Sequence, residues 1–131
     1  MSGYTMVNLK DVENQGPKFG FAEDELGLRM ARVGLECESS GVSLVQLGPG
    51  FRTPFGHNHA KQEEIYILIK GSARMKLADE IVELEPYTAV RVAPSTMRGY
   101  EGGPEGAEII AIGAPSTGPG DAEIVQGWWA D

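Results

Sequence analysis

Between Gly41 and Gly113 the chain is a series of short β-forming runs, each cut by glycine or proline. Val42, Leu44 and Gln46 alternate with Ser43, Val45 and Leu47, the period of two of a strand. Gly48-Pro49-Gly50 is a turn, because these residues interrupt a ladder. Phe51 to Phe55 is extended, with Pro54 pushing Thr53 toward β or polyproline geometry. Glu64 to Ile69 is a strand rich in β-branched and aromatic residues. Ala73 to Leu77 and Ile81 to Leu84 form a hairpin around Ala78-Asp79-Glu80, where Asp supplies turn chemistry. Ala89 to Ala93, Met97 to Glu101 and Ala107 to Gly113 complete the series, separated by Pro94-Ser95-Thr96 and Gly102-Gly103-Pro104. Short strands about ten residues apart predict an all-β sandwich or barrel. With 18 Gly and 8 Pro among 131 residues, turns are frequent enough to connect them.

This length suits one domain able to bury a core. Its barrel core is expected at about 42–113, with an N-terminal arm at 1–41 and a C-terminal tail at 114–131. In the arm, Met6 to Leu9 suggests a short β segment. Phe21 to Leu35 suggests a short helix or irregular stretch leading into a strand, since Glu23-Asp24-Glu25 suits a helix N-terminus; Met30 to Val33 fits an exposed strand equally. In the tail, Ala114 to Gly120 looks like a flexible linker. It delivers Ile124, Val125, Trp128 and Trp129. Two adjacent tryptophans carry too much apolar area to stand in water, so the tail either packs back on the barrel or makes a dimer contact.

The net charge of −8, with a pI near 4.7, argues against nucleic acid and anionic membranes, which need a basic surface. The longest apolar run, Ile65 to Ile69, is too short to span a bilayer. No basic-then-apolar leader is visible at the N-terminus, and a soluble, cytoplasmic protein is expected. Cys37 is alone, so no intramolecular disulfide forms, and it has no local catalytic partner. No nucleophile elbow, P-loop or dinucleotide fingerprint occurs.

The chemistry concentrates between Gly50 and Gly71. Both histidines of the chain, His57 and His59, lie there. Two residues apart on an extended segment, they point the same way. In the next strand Glu64 shares a face with Tyr66 and Leu68, and Glu63 shares the other with Ile65 and Ile67. If Tyr66 and Leu68 face inward, Glu64 does too. Two imidazoles and a carboxylate converging on one point make an open site for Fe(II), and Mn, Zn, Ni or Co are chemically feasible. The plainer alternative is a polar loop pair beside an interior acid.

Gly50, His57-Asn58-His59, Glu64 and Gly71 together resemble the first motif of the cupin superfamily: glycine, His-X-His, four residues, Glu, six residues, Gly. From His57 to Gly71 the register matches; the lead from Gly50 is one residue longer than usual. The resemblance covers about Val42 to Gly113. It implies a double-stranded β-helix, the cupin or jelly-roll barrel, with a small-molecule pocket, and it supports a homodimer. It also implies that His57, His59 and Glu64 bind a divalent metal.

The second cupin motif is not matched. Aligned on Ala89 to Tyr100, its five characteristic positions fall on Tyr87, Ala93, Ser95, Arg98 and Gly102. Arg98 stands where the fourth ligand, a histidine, is expected. A guanidinium has no lone pair to offer and stays charged. Three arrangements follow. A metal keeps three protein ligands while Arg98 holds an anionic substrate group; the pocket is metal-free and Arg98 pairs with Glu64; or Arg98 faces outward and pairs with Glu101 or Glu85.

Further pocket candidates are Tyr66, Tyr100 and Phe55, with Phe51 at the mouth, and Gln46 if its strand face turns inward. Arg52 and Gln62 are weaker candidates. Two functions fit: a metal-dependent enzyme of oxygenase or isomerase type acting on a small anionic or oxygen-rich substrate, or a non-catalytic, metal-free protein that binds an anion or a sugar-like ligand.

Overall fold

The structure, a computed structural model, describes residues 3–113 and 122–129. The linker expected at Ala114 to Gly120 lies outside these residues. The described residues form eight strands: β1 (Leu26–Met30), β2 (Gly41–Leu47), β3 (Phe55–His59), β4 (Glu64–Leu77), β5 (Glu80–Leu84), β6 (Ala89–Val92), β7 (Arg98–Gly113) and β8 (Ala122–Gln126). Their pairings are antiparallel. One path runs β1-β2-β7-β3-β8, and β4 pairs with β5, β6 and β7.

Two long strands organise the barrel. The β segments expected at Glu64–Ile69 and Ala73–Leu77 are one strand, and so are those at Met97–Glu101 and Ala107–Gly113. They stay continuous because β4 and β7 pair along their length, with irregularities between Leu68 and Lys70 and between Gly71 and Ala73. Bulges bend strands without ending them. At the bend Gly71 has φ +79, and a Cβ there would lie 2.1 Å from the Gly106 carbonyl oxygen. That close approach explains the glycine that ends the motif.

Leu68, Met75 and Ile109 of these strands are fully buried. Each contributes about 1.5–3 kcal/mol of apolar burial. The hairpin forms as expected, with Leu77 opposite Glu80.

The arm departs from expectation. Met6 is exposed and in no strand; a 3-10 turn follows at Leu9–Asp11. There is no helix between 21 and 35. Leu26–Met30 instead pairs with β2, because buried Leu26 joins the barrel core, and that burial outweighs the helix-start preference of three acidic residues.

The tail packs back on the barrel. β8 pairs with β3 from Phe55↔Gln126 to His59↔Ala122. Trp129 is buried and lies under Arg52, whose Cζ is 4.6 Å from the ring centroid, with Arg74 at 5.7 Å. Lys76 Nζ lies 4.5 Å from the Trp128 centroid. Glu101 accepts from Arg52 Nε at 2.8 Å and from Arg74 Nη2 at 2.5 Å. Arg52, a weaker pocket candidate in the sequence, thus anchors the tail.

Burial pushes the Glu101 carboxyl up, but the hydrogen bonds and charges of Arg74 and Arg52 outweigh it and hold it below its ordinary 4.5. A depressed folded-state pKa stabilises above the unfolded value, and that contribution is lost as pH falls through the folded one. Wild type should therefore melt above Glu101→Gln by a margin that is full above pH 4.5 and shrinks on acidification. A margin unchanged in acid would mean the carboxylate charge does not anchor the arginines.

Candidate functional site

β3 brings Phe55, His57 and His59 to one face. Its other face is covered at Gly56, where a Cβ would lie 2.4 Å from Trp128 Cε3. The register sets Arg98 directly across from His57, so their side chains share the inner face. β4 starts with Glu64, followed on the same face by buried Tyr66 and Leu68. Glu63 points outward and accepts from Arg91 Nη1 at 3.1 Å.

These side chains converge on one atom, Glu64 Oε1. Tyr66 donates its hydroxyl at 2.5 Å. His59 Nε2 lies at 3.1 Å, His57 Nε2 at 3.7 Å and Arg98 Nη1 at 3.7 Å. Arg98 is fully buried, so it does not face outward to Glu101 or Glu85. Its Nη2 donates to the Ala93 carbonyl at 2.9 Å, while its Nε and Nη1 have no hydrogen-bond partner among the described residues. Tyr100, two residues on, packs against Tyr66 with ring centroids 5.9 Å apart.

Burial pushes the Glu64 carboxyl up, yet the nearby His57 imidazole, hydrogen bonds from His59 and Tyr66 and the charge of His59 outweigh it. The group is held well below the usual carboxylate range and is ionised at working pH. Both tyrosine hydroxyls are pushed well up, chiefly by burial and then by neighbouring acidic groups such as Glu64. Both stay neutral, and Tyr66 is a donor.

His57, His59 and Glu64 each offer one ligand atom, all within 4.8 Å of one another. Two ligands on one metal, each about 2.0–2.2 Å from it, stand roughly 3–3.7 Å apart, depending on angle. The 3.1 and 3.7 Å separations from Glu64 Oε1 lie in this range, so each histidine could share a divalent ion with Glu64. Arg98 itself cannot serve as a ligand, since a guanidinium has no lone pair to offer. The same oxygen also suits a buried ion pair with Arg98, with about 4 kcal/mol of gross attraction at an effective dielectric of about 20.

Other candidates lie elsewhere. Gln46 is not in this cluster. It accepts from Arg29 Nε at 2.9 Å and donates to Glu108 at 3.0 Å, because Val45 and Leu47, not Gln46, face the core. Phe55 and Phe51 both contact Phe21, at 6.2 and 5.8 Å between centroids. Phe21 went unnoticed in the sequence, where nothing near it marks a site. The Gln62 amide packs against Gly113. Surface depressions beside Arg74 and Gly103 and beside Lys70 and Glu105 border none of the interior cluster.

No protein-family model matches the sequence, and no curated protein matches it either. Solved structures do. A cupin protein from Bacteroides fragilis superposes with a TM-score of 0.69 at 22% identity, over 91% of this chain and 89% of that one. A variant of Streptomyces Pac13, a nucleoside dehydratase, with uridine superposes with a TM-score of 0.73 at 19% identity, over 96% and 93%. KdgF from Halomonas gives 0.68 at 17% identity, over 87% and 94%. The chain therefore has the cupin fold, a small double-stranded β-helix barrel. Within that fold its interior carries the cluster of His57, His59 and Glu64, with the Arg98 guanidinium beside it.

Proposed function

We propose that this barrel takes in a small, oxygen-rich, anionic molecule and transforms it at a divalent metal held by His57, His59 and Glu64, in chemistry of isomerase or oxygenase type. The observation that carries this reading is the convergence of three ligand atoms within 4.8 Å, on two strands that also carry the buried aromatic lining. A metal there would supply Lewis-acid or redox chemistry; Fe, Mn, Zn and Ni all suit two imidazoles and a carboxylate.

The chain's own residues do the rest. Arg98 presents buried N–H groups without a hydrogen-bond partner among the described residues, which suits a substrate carboxylate or phosphate. Tyr66 fixes the carboxylate of Glu64 through its hydroxyl, the outer hydrogen bond that orients a metal ligand. Tyr100, packed against Tyr66, gives the site an apolar side. Uridine in Pac13 supports an oxygen-rich small molecule as ligand. The protein works on this reading as a soluble, cytoplasmic homodimer.

A second reading has its own support. Arg98 Nη1 lies 3.7 Å from Glu64 Oε1, so the guanidinium can serve as the cation of the site. The barrel is then a metal-free binding protein for an anion or a sugar-like molecule. Elemental analysis separates the two. Near-stoichiometric metal in purified wild type, lost in both His57→Ala and Glu64→Ala, is expected; wild type that stays metal-free after incubation with Fe(II), Mn(II), Zn(II) and Ni(II) would sink the metal reading.

A further inference from the structure

β3, which carries both histidines, has few ties to the rest of the barrel: His59 N donates to the Pro94 carbonyl at 2.8 Å and Asn58 Nδ2 to the Ser95 carbonyl at 3.3 Å. Its only register pair with β7 is His57↔Arg98. With β8 it has an unbroken run from Phe55↔Gln126 to His59↔Ala122. The sequence Phe-Gly-His-Asn-His has little strand preference, since glycine and asparagine are depleted in strands. β8 cannot be held by its own burial, because all of its residues are exposed.

What holds β8 is the turn after it. Gly127 N donates to the Pro54 carbonyl at 2.7 Å, just before β3. The Trp128 ring packs on the outer side of β3, in a space kept open by Gly56. Lys76 caps that ring at 4.5 Å and donates to the Trp128 carbonyl at 3.3 Å. Trp129 is buried under Arg52 and Arg74. The outer face of the histidine strand is thus the bed of an aromatic latch.

We propose that Trp128 is a positioning residue for the site. Seated on Gly56, it holds β8 against β3 and so sets the two histidines toward Glu64. The inference rests on the metal reading only for its metal readout; the position of the histidines is tested without metal. Interactions that orient metal ligands from outside typically change affinity by about 10- to 100-fold.

The test uses the full chain and Co(II) alone as probe. The protein has only two histidines, so two imidazole spin systems report on the site directly by NMR. Trp128→Ala is expected to bind Co(II) about 10- to 100-fold more weakly and, without metal, to move both histidine ring signals toward free-imidazole values. Trp128→Phe should restore both readouts. Lys76→Met, which removes only the cap on the ring, should shift them part of the way and guards against a Trp128→Ala chain that does not fold. Leu84→Ala, a core truncation away from β3, should lower Tm without altering either readout.

If wild type binds no Co(II) but Trp128→Ala still displaces the ring signals, the latch stands and the metal reading falls. If Co(II) affinity and ring signals are the same in wild type, Trp128→Ala and Lys76→Met, the latch is overturned whatever the metal does. Equal changes in Leu84→Ala would overturn it too, since the effect would then follow stability alone.

Discussion

Glu64→Gln is expected to lower the unfolding free energy of metal-free protein by about 3–5 kcal/mol, measured by urea denaturation in the presence of a chelator. Glutamine keeps the shape and an acceptor for Tyr66, so the change isolates the charge. That charge faces a guanidinium with no solvent exposure at 3.7 Å. Removing one member of a buried pair leaves the other uncompensated, and this costs more than the pair contributed. Arg98→Met alone should cost less, because Glu64 keeps its donors Tyr66 and His59. Combining Glu64→Gln with Arg98→Met should recover most of the loss, since no charge is then stranded. Strict additivity of the two single changes would show that the residues do not interact.

Arg98→His should tighten divalent-metal binding by several orders of magnitude, read by competition against a chromophoric chelator. A unit charge and a dication about 5 Å apart repel by roughly 6–7 kcal/mol at an effective dielectric of about 20. Part of that is relaxed in the wild type by motion of a long side chain, so the measured gain will be smaller. The substitution also adds an imidazole directly across from His57 on the neighbouring strand, a fourth ligand on the same face. No gain in affinity would mean that the guanidinium does not act on the metal position. The opposite result is expected for an anionic ligand such as citrate or a sugar phosphate, which should bind the variant more weakly.

Much of the barrel was legible because it depends on local patterns. Period-two alternation marked β2, and runs of β-formers ended by Gly or Pro marked β4 to β7. Parity along β4 placed Glu64 inside and Glu63 outside. Where the sequence was misleading, long-range pairing had won. Gly102-Gly103-Pro104 reads as a strand end, but β7 continues through it because β4 pairs alongside. Glu23-Asp24-Glu25 reads as a helix start, but Leu26 is drawn into the core. Gln46 shares a face with Leu44, yet that face is not the interior one; two faces of one strand are equivalent until another layer covers one of them.

His57, His59, Glu64 and the arginine at position 98 were determined by the sequence alone, because spacing in a motif is one-dimensional. That Arg98 turns inward and meets the same carboxylate oxygen as both histidines was decided by tertiary structure, through the pairing of His57 with Arg98 across β3 and β7. So was the role of the tail. Trp128 lies more than seventy residues from Gly56 in the chain, and their fit needs a missing side chain on a strand and a ring in the turn after another. Shape complementarity of that kind exists only after folding, when packing brings the two surfaces together.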